Sequence, residues 1–193
     1  MKHILITTFA GLLLVGTSFA DPIHDAAKEG DLAGVQTELD NGVNINATGG
    51  SPRGTAMHHA VTNGHLKVVE LLLAKGAGIT SVGGSPRGTP LYLAAYNGRL
   101  EIAELLIANG AELDISHQGH KWTPLYAATD RGHKEMVELL IDKGADVNEP
   151  GYYKLPALHL AAGKGDHEMA ALLIAKGADV NLLSRGNTPL DSA

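Results

Sequence analysis

The 193-residue sequence has no cysteine, one tryptophan and only eight aromatic residues in all. The missing cysteines exclude disulfides, thiolate zinc sites, cysteine nucleophiles and cysteine-linked lipid anchors. Positive charge is scarce as well: 15 Lys and Arg stand against 21 Asp and Glu, a formal charge of −6. That balance argues against a strongly basic nucleic-acid binder, since neutralising phosphates needs a net positive surface. No nucleic-acid partner is therefore expected. Glycine, in contrast, is plentiful at 24 residues, and a hydrophobic content of 44% is enough to bury a core. The length suits one ordinary domain.

There is one long hydrophobic run, and it lies at the very start. Met1-Lys2-His3 is a short basic opening, and Ile4 to Val15 is apolar apart from Thr7, Thr8 and Gly11. Small residues then lead to Ala20, with Ser18 two positions before it, the small-x-small pattern that signal peptidase requires. A run of about twelve apolar residues is too short to span roughly 30 Å of hydrocarbon. The segment reads as a signal peptide over 1–20, cleaved between Ala20 and Asp21, with an exported periplasmic or secreted product. Lys2 is its only charged side chain, so cleavage would leave a formal charge of −7. No second hydrophobic segment follows, so no membrane span is expected after cleavage. A leader this short points to a bacterial source.

The rest of the chain repeats itself. Gly30, Gly64, Gly98, Gly132 and Gly165 are spaced by 34, 34, 34 and 33 residues, and twelve residues after each stands Gly42, Gly76, Gly110, Gly144 or Gly177. Two registered glycine series mark a repeat array. In the third unit Thr89-Pro90 opens a helix, because Thr can satisfy free N–H groups and Pro suits the first helical position. Leu91, Ala94 and Ala95 follow at helical spacing, and Gly98 closes the helix in a left-handed conformation. A second helix carries Ile102, Ala103, Leu105, Leu106 and Ile107, an apolar stripe too wide for a lone surface helix, and Gly110 ends it. Val68 to Leu73 and Met136 to Ile141 repeat that stripe. The paired alanines Ala94-Ala95 and Ala161-Ala162 let neighbouring helices approach closely. Each unit thus exposes an apolar face that its neighbours must cover.

Thr89-Pro90-Leu91-Tyr92-Leu93-Ala94-Ala95 with Gly98 and Gly110-Ala111 resembles the ankyrin repeat. So do Thr123-Pro124-Leu125-Tyr126, Gly144-Ala145-Asp146-Val147-Asn148, Leu158-His159-Leu160-Ala161-Ala162 and Gly177-Ala178-Asp179-Val180-Asn181. The resemblance covers about residues 21–193. It implies an all-α solenoid of stacked helix–turn–helix units with β-hairpin-like fingers at right angles to them. The units fall near 21–46, 47–80, 81–114, 115–148 and 149–181, with a partial unit over 182–193. Three departures carry expectations. Gly34, Thr37 and Glu38 make the first unit's outer face polar, as in an N-terminal capping repeat. Ala56, in place of the motif's Pro, and Leu155-Pro156-Ala157 predict poorly capped helix starts. Thr188-Pro189-Leu190-Asp191-Ser192-Ala193 opens a sixth unit and stops, as a fragment of a longer array would.

Function is expected in residues that stacking does not require. The loops Gly49-Gly50-Ser51-Pro52-Arg53-Gly54-Thr55 and Gly83-Gly84-Ser85-Pro86-Arg87-Gly88-Thr89 are glycine-rich. They lack the Gly-Lys-Ser/Thr ending of a phosphate loop and follow no βα unit, so they read as fingertips. Arg53, Arg87, Lys121 and Lys154 take equivalent fingertip positions and should form a row of cations. Trp122, Tyr152 and Tyr153 fall beside them, and Arg and aromatic side chains are favoured in binding hot spots. The pair before each helix-ending glycine varies between units: Lys28-Glu29, Thr62-Asn63, Tyr96-Asn97, Asp130-Arg131 and Gly163-Lys164. The resemblance implies that this stripe and the fingers form a concave binding face. On it Tyr96 reads as an exposed aromatic that stacking does not need. Glu70, Glu101, Glu104, Glu135 and Glu138 load acid elsewhere, leaving the cationic rim to face an acidic patch on a partner.

The ten histidines are not expected to form a metal site. His24, His58 and His159 occupy the position held by Tyr92 and Tyr126, so they should pack and hydrogen-bond a neighbouring turn. His65 and His133 follow the helix-ending glycine, where the ankyrin pattern favours His. His58-His59 and His117-Gln118-Gly119-His120 lack the four ligands of a structural zinc site. No elbow serine, His-Glu-x-x-His helix or paired-carboxylate signature is present, so neither catalysis nor a cofactor is expected. The sequence describes a monomeric, non-catalytic module that binds a protein through fingertips and the first-helix face. Inhibition of an exported enzyme, immunity against one, or effector action in a host cell would need the same face.

Overall fold

The computed structural model describes residues 22–114, 122–151 and 154–193. Ten helices alternate in two rows among the described residues, which contain no strands. The first row is α1 Pro22–Glu29, α3 Ala56–Asn63, α5 Pro90–Tyr96, α7 Pro124–Arg131 and α9 Ala157–Gly163. The second is α2 Leu32–Asp40, α4 Leu66–Ala74, α6 Leu100–Ala108, α8 Lys134–Asp142 and α10 His167–Ala175. Each first-row helix packs on its partner and on the first-row helices to either side, and the second row stacks likewise. The outcome is the expected solenoid. A 3-10 turn, Leu190–Ser192, packs the end of the described chain against α9.

Local sequence sets these boundaries. Thr89 Oγ1 accepts the Tyr92 amide at 3.2 Å, and Thr123 Oγ1 accepts that of Tyr126 at 3.1 Å. Pro follows both, spending no amide where none could bond. Gly98 and Gly110 lie at φ +64° and +88°, the left-handed region where a Cβ is disfavoured. Removing one Thr hydroxyl should cost about 1 kcal/mol. Thr123→Ala is thus expected to lower the urea midpoint without changing the slope, and an unchanged midpoint would show that its cap contributes nothing.

The core runs through the whole array. Ala60, Val69, Leu72, Ala94, Ala95, Leu106, Ala127, Ala128, Leu140 and Leu173 are fully buried. The first unit differs as expected: α2 buries Val35 alone, with Thr37 exposed and Leu32 at 42% exposure. At the other end Ile174, Val180, Leu183 and Leu190 are exposed.

Polar stitches join the units. In the second, third and fourth units the side chain after the helix-ending glycine reaches back 37 residues to a carbonyl of the preceding unit. His65 Nε2 lies 2.9 Å from the Lys28 oxygen, Arg99 Nη2 donates to that of Thr62 at 3.3 Å, and His133 Nε2 lies 3.3 Å from that of Tyr96. Unit five has Asp166 there, which has no proton to donate and instead caps α10 through the Met169 amide. Lys164 replaces the stitch, its Nζ meeting both the carbonyl and the carboxylate of Asp130. In the loops Asn46 accepts the Gly78 amide and Asn148 that of Asp179, each at 2.8 Å.

The buried histidines do what their exchange with tyrosine predicts. His24, His58 and His159 place Nε2 2.9, 3.1 and 3.1 Å from the carbonyls of Ala47, Ser81 and Asn187. One expectation is corrected. The start of α3, lacking its proline, is not poorly capped, because His58 Nδ1 accepts the Thr55 amide at 3.1 Å and lies 2.7 Å from its hydroxyl. At α9 the expectation stands: Pro156 precedes the helix and no side chain caps it.

Candidate functional site

Two surfaces carry the candidate residues. The first is built on α5 and α7. Tyr92, at the first turn of α5, is buried, and Tyr96 stacks on it one turn later with ring centroids 6.1 Å apart. Trp122 sits edge-on to Tyr92 at 6.0 Å and to Tyr126 of α7 at 6.2 Å. Edge-to-face and offset pairs in this distance range match the ring quadrupoles. Arg131, at the end of α7, holds its guanidinium carbon 4.6 Å from the Tyr96 centroid, an attraction between cation and ring face. Tyr96, Tyr92, Trp122 and Tyr126 thus form a continuous aromatic row across two units with Arg131 at its rim.

Tyr96 is therefore not the stacking-independent exposed aromatic expected from its position. It is half-buried, stacked on one ring and covered by a guanidinium from the next unit. Asn97 turns inward too, its amide donating to the Leu93 carbonyl at 2.8 Å. Asp130 is held at 2.5 Å by Lys164. Arg131 itself remains exposed. Burial pushes the Tyr92 phenol above its ordinary range, with the neighbouring Tyr96 and Asp130 adding to it. Its hydroxyl has no hydrogen-bond partner among the described residues.

The second surface is the fingertips. Gly49 and Gly54 exchange backbone hydrogen bonds at 2.8 and 3.0 Å, and Gly83 and Gly88 do so at 3.0 Å, closing two turns of one shape. Arg53 and Arg87 are both exposed and line one groove with Thr48, Val82 and Gly84. Arg53 donates Nε and Nη2 to the Thr48 hydroxyl at 3.3 and 3.2 Å. Lys154 is exposed at φ +63°, and its carbonyl accepts the Ser184 hydroxyl at 2.8 Å. Lys121, Tyr152 and Tyr153 lie outside the described residues, as do His117 and His120.

Neither surface carries a constellation for catalysis among the described residues. The buried imidazoles point at backbone carbonyls, with His59 Nε2 3.2 Å from that of Gly49. Tyr92, Tyr126 and Thr48 belong to these two surfaces and are not among the candidates that the sequence singles out. The i, i+4 spacing of Tyr92 and Tyr96 was the available signal, since such pairs meet on one helix face.

A stack of helix pairs in two rows, with tight turns each closed by a single β-bridge at some of the junctions, defines a helical-repeat solenoid. The family profile for ankyrin repeats in three copies matches residues 23–117 and 79–151, and that for a single ankyrin repeat matches 154–185. The chain belongs to the ankyrin-repeat family. Ankyrin repeats are generally protein–protein interaction modules and typically non-catalytic. No curated protein matches the chain. None of the described helices is long and apolar enough to cross a membrane.

Proposed function

We propose that this protein is an exported, non-catalytic module that docks a protein partner on the first-helix face of its third and fourth units. The observation that carries the reading is the aromatic row ending in Arg131. Tyr96 and Trp122 are the half-buried members of the row, and beside the exposed Arg131 they offer a partner aromatic contact and a charged handle for orientation, on a base of buried Tyr92 and Tyr126. The row is already held by packing within the chain, so little conformational freedom is lost on docking. Export is supported by the leader-like segment 1–20, and a periplasmic or secreted setting follows from it.

The test is affinity capture from an envelope extract on residues 21–193, beside the Arg131→Glu variant. Charge reversal at an exposed residue leaves the stack intact and removes the cation from Tyr96. A protein retained by the wild type should be lost or bound at least tenfold more weakly by the variant. Equal retention by both would take the partner off this face, and no retained protein would count against the binding reading.

A further inference from the structure

The segment Gly-Gly-Ser-Pro-Arg-Gly-Thr occurs twice, at 49–55 and 83–89. Its glycines and threonines have structural reasons. A Cβ on Gly83 would lie 2.8 Å from the Gly54 Cα, and the Gly84 amide donates to the Arg53 carbonyl at 3.0 Å. The two fingers are thereby zipped backbone to backbone in register. Thr55 and Thr89 stand at the starts of α3 and α5. None of this explains why the tips share Ser-Pro-Arg. Ser51, Pro52, Arg53, Ser85 and Arg87 are exposed. Arg87 makes no hydrogen bond or ion pair among the described residues, and Arg53 bonds a neutral hydroxyl. An acidic chain therefore carries two cations without a bonded carboxylate at one edge. The exposed acids Glu101, Glu104, Glu135 and Glu138 lie on α6 and α8, in the other row of helices.

Identical tips in register present the same donors twice, and that arrangement suits a ligand that repeats its own acceptor. The fingers precede successive first-row helices, so they recur at about the 8–10 Å of helix packing. A polyproline II segment has three residues per turn and rises about 3.1 Å per residue, so positions i and i+3 share a face at about 9 Å. A β-strand places i and i+2 on one face at about 7 Å, and an α-helix places i and i+4 about 6 Å apart along its axis. Polyproline II geometry fits best. Each guanidinium presents a fork of donors that a carboxylate accepts in bidentate fashion.

We propose that the paired fingertips bind an extended acidic segment of a protein, taking carboxylates three residues apart on Arg53 and Arg87. The proposal rests on the protein-binding reading above and names the chemistry of the partner at a second contact.

The test is fluorescence anisotropy of the purified full chain with two labelled probes of one composition. One is Glu-Pro-Pro-Glu-Pro-Pro-Glu, and the other clusters its three glutamates ahead of four prolines. The spaced probe is expected to bind at least tenfold more tightly, to weaken with added salt, and to lose at least tenfold with Arg87→Gln. Arg87→Lys keeps the charge without the fork and should fall between. All variants alter an exposed tip, and an unchanged thermal melt verifies their fold. Equal affinity for both probes, or indifference to Arg87→Gln, overturns the proposal. Stronger binding of polygalacturonate than of the spaced probe also overturns it, in favour of an acidic polysaccharide. If the probes fail while Arg131→Glu still releases a captured protein, the acidic-segment proposal falls and the binding module stands. If both fail, the reading beneath it falls too.

Discussion

Ala94→Arg should abolish cooperative folding of the array. Ala94 has no exposed surface and lies in α5, packed between α3 and α7. The substituted side chain would need several times the volume of a methyl group, and overpacking of this kind costs about 1–3 kcal/mol. It would also carry a charge with no buried partner, at several kcal/mol more after relaxation. A native domain holds only about 5–15 kcal/mol in total. The position makes the loss worse, because each repeat is stabilised by its neighbours and α5 lies at the centre of the stack. Far-UV circular dichroism should show a broad, non-cooperative melt or lost helicity. Ala108→Arg provides the control: Ala108 is exposed on α6, and its melt should stay close to wild type. A cooperative melt for Ala94→Arg would mean that the helices do not pack as the repeat register requires.

That register was legible because each unit is a local pattern. Glycine series, Thr-Pro starts and alanine pairs fix helix ends and close faces within about 34 residues of chain. The histidine roles were legible for a related reason: a residue that exchanges with tyrosine between repeats must do what tyrosine does there. What escaped was contact between units at unlike positions. Arg131 covers Tyr96 from the next repeat, and Lys164 takes over a stitch from a position two residues earlier than in other units. Aligning repeats compares equivalent positions and is blind to these offsets. The cap at α3 escaped for another reason. The missing proline is plain in the sequence, but nothing in the sequence places the ring nitrogen of His58 against the Thr55 amide.

On the proposed reading the two candidate surfaces would divide the work of recognition differently. The aromatic row is partly buried and held rigid by its own contacts, which suits affinity. The fingertips expose cations without bonded carboxylates, which suits orientation and fast encounter with an acidic surface. Polar groups elsewhere on the first-helix face are largely committed to the fold. Asn63 and Asn97 bond their own helices, and Asp130 and Lys164 bond each other. Variation between repeats at these pairs therefore has a structural cause in stitching and helix contacts, and the surface free for a partner is narrower than the sequence implied.

Acid should destabilise the protein through His58. The ring is 1% exposed and its pKa is lowered to about 4, mainly by burial, with the Ser81 carbonyl bond opposing and the neighbouring His59 adding to the shift. In the unfolded chain the same ring titrates near 6.5. Between those values the unfolded state binds the extra proton, so stability is complete above about pH 6.5 and declines as pH falls toward 4. A separation of this size corresponds to about 3 kcal/mol from one group. His59 is lowered in the same direction, chiefly by burial and then against the Gly49 carbonyl bond, and steepens the decline. The decisive comparison is His58→Tyr. Tyr92 and Tyr126 fill the equivalent position, and Gly54 stands before His58 as Gly88 does before Tyr92, so the ring has room. The variant forfeits both the Ser81 hydrogen bond and the bond from the Thr55 amide that caps α3, and should be less stable at pH 7. Its unfolding free energy should nevertheless fall by about 3 kcal/mol less than that of the wild type between pH 7 and pH 4. Urea titrations at five pH values measure this directly. Parallel acid limbs, or a His58 ring signal titrating near 6.5 by NMR, would show that the ring is not held neutral by burial. The stitch to Ser81 would then form with the charged ring as readily as with the neutral one.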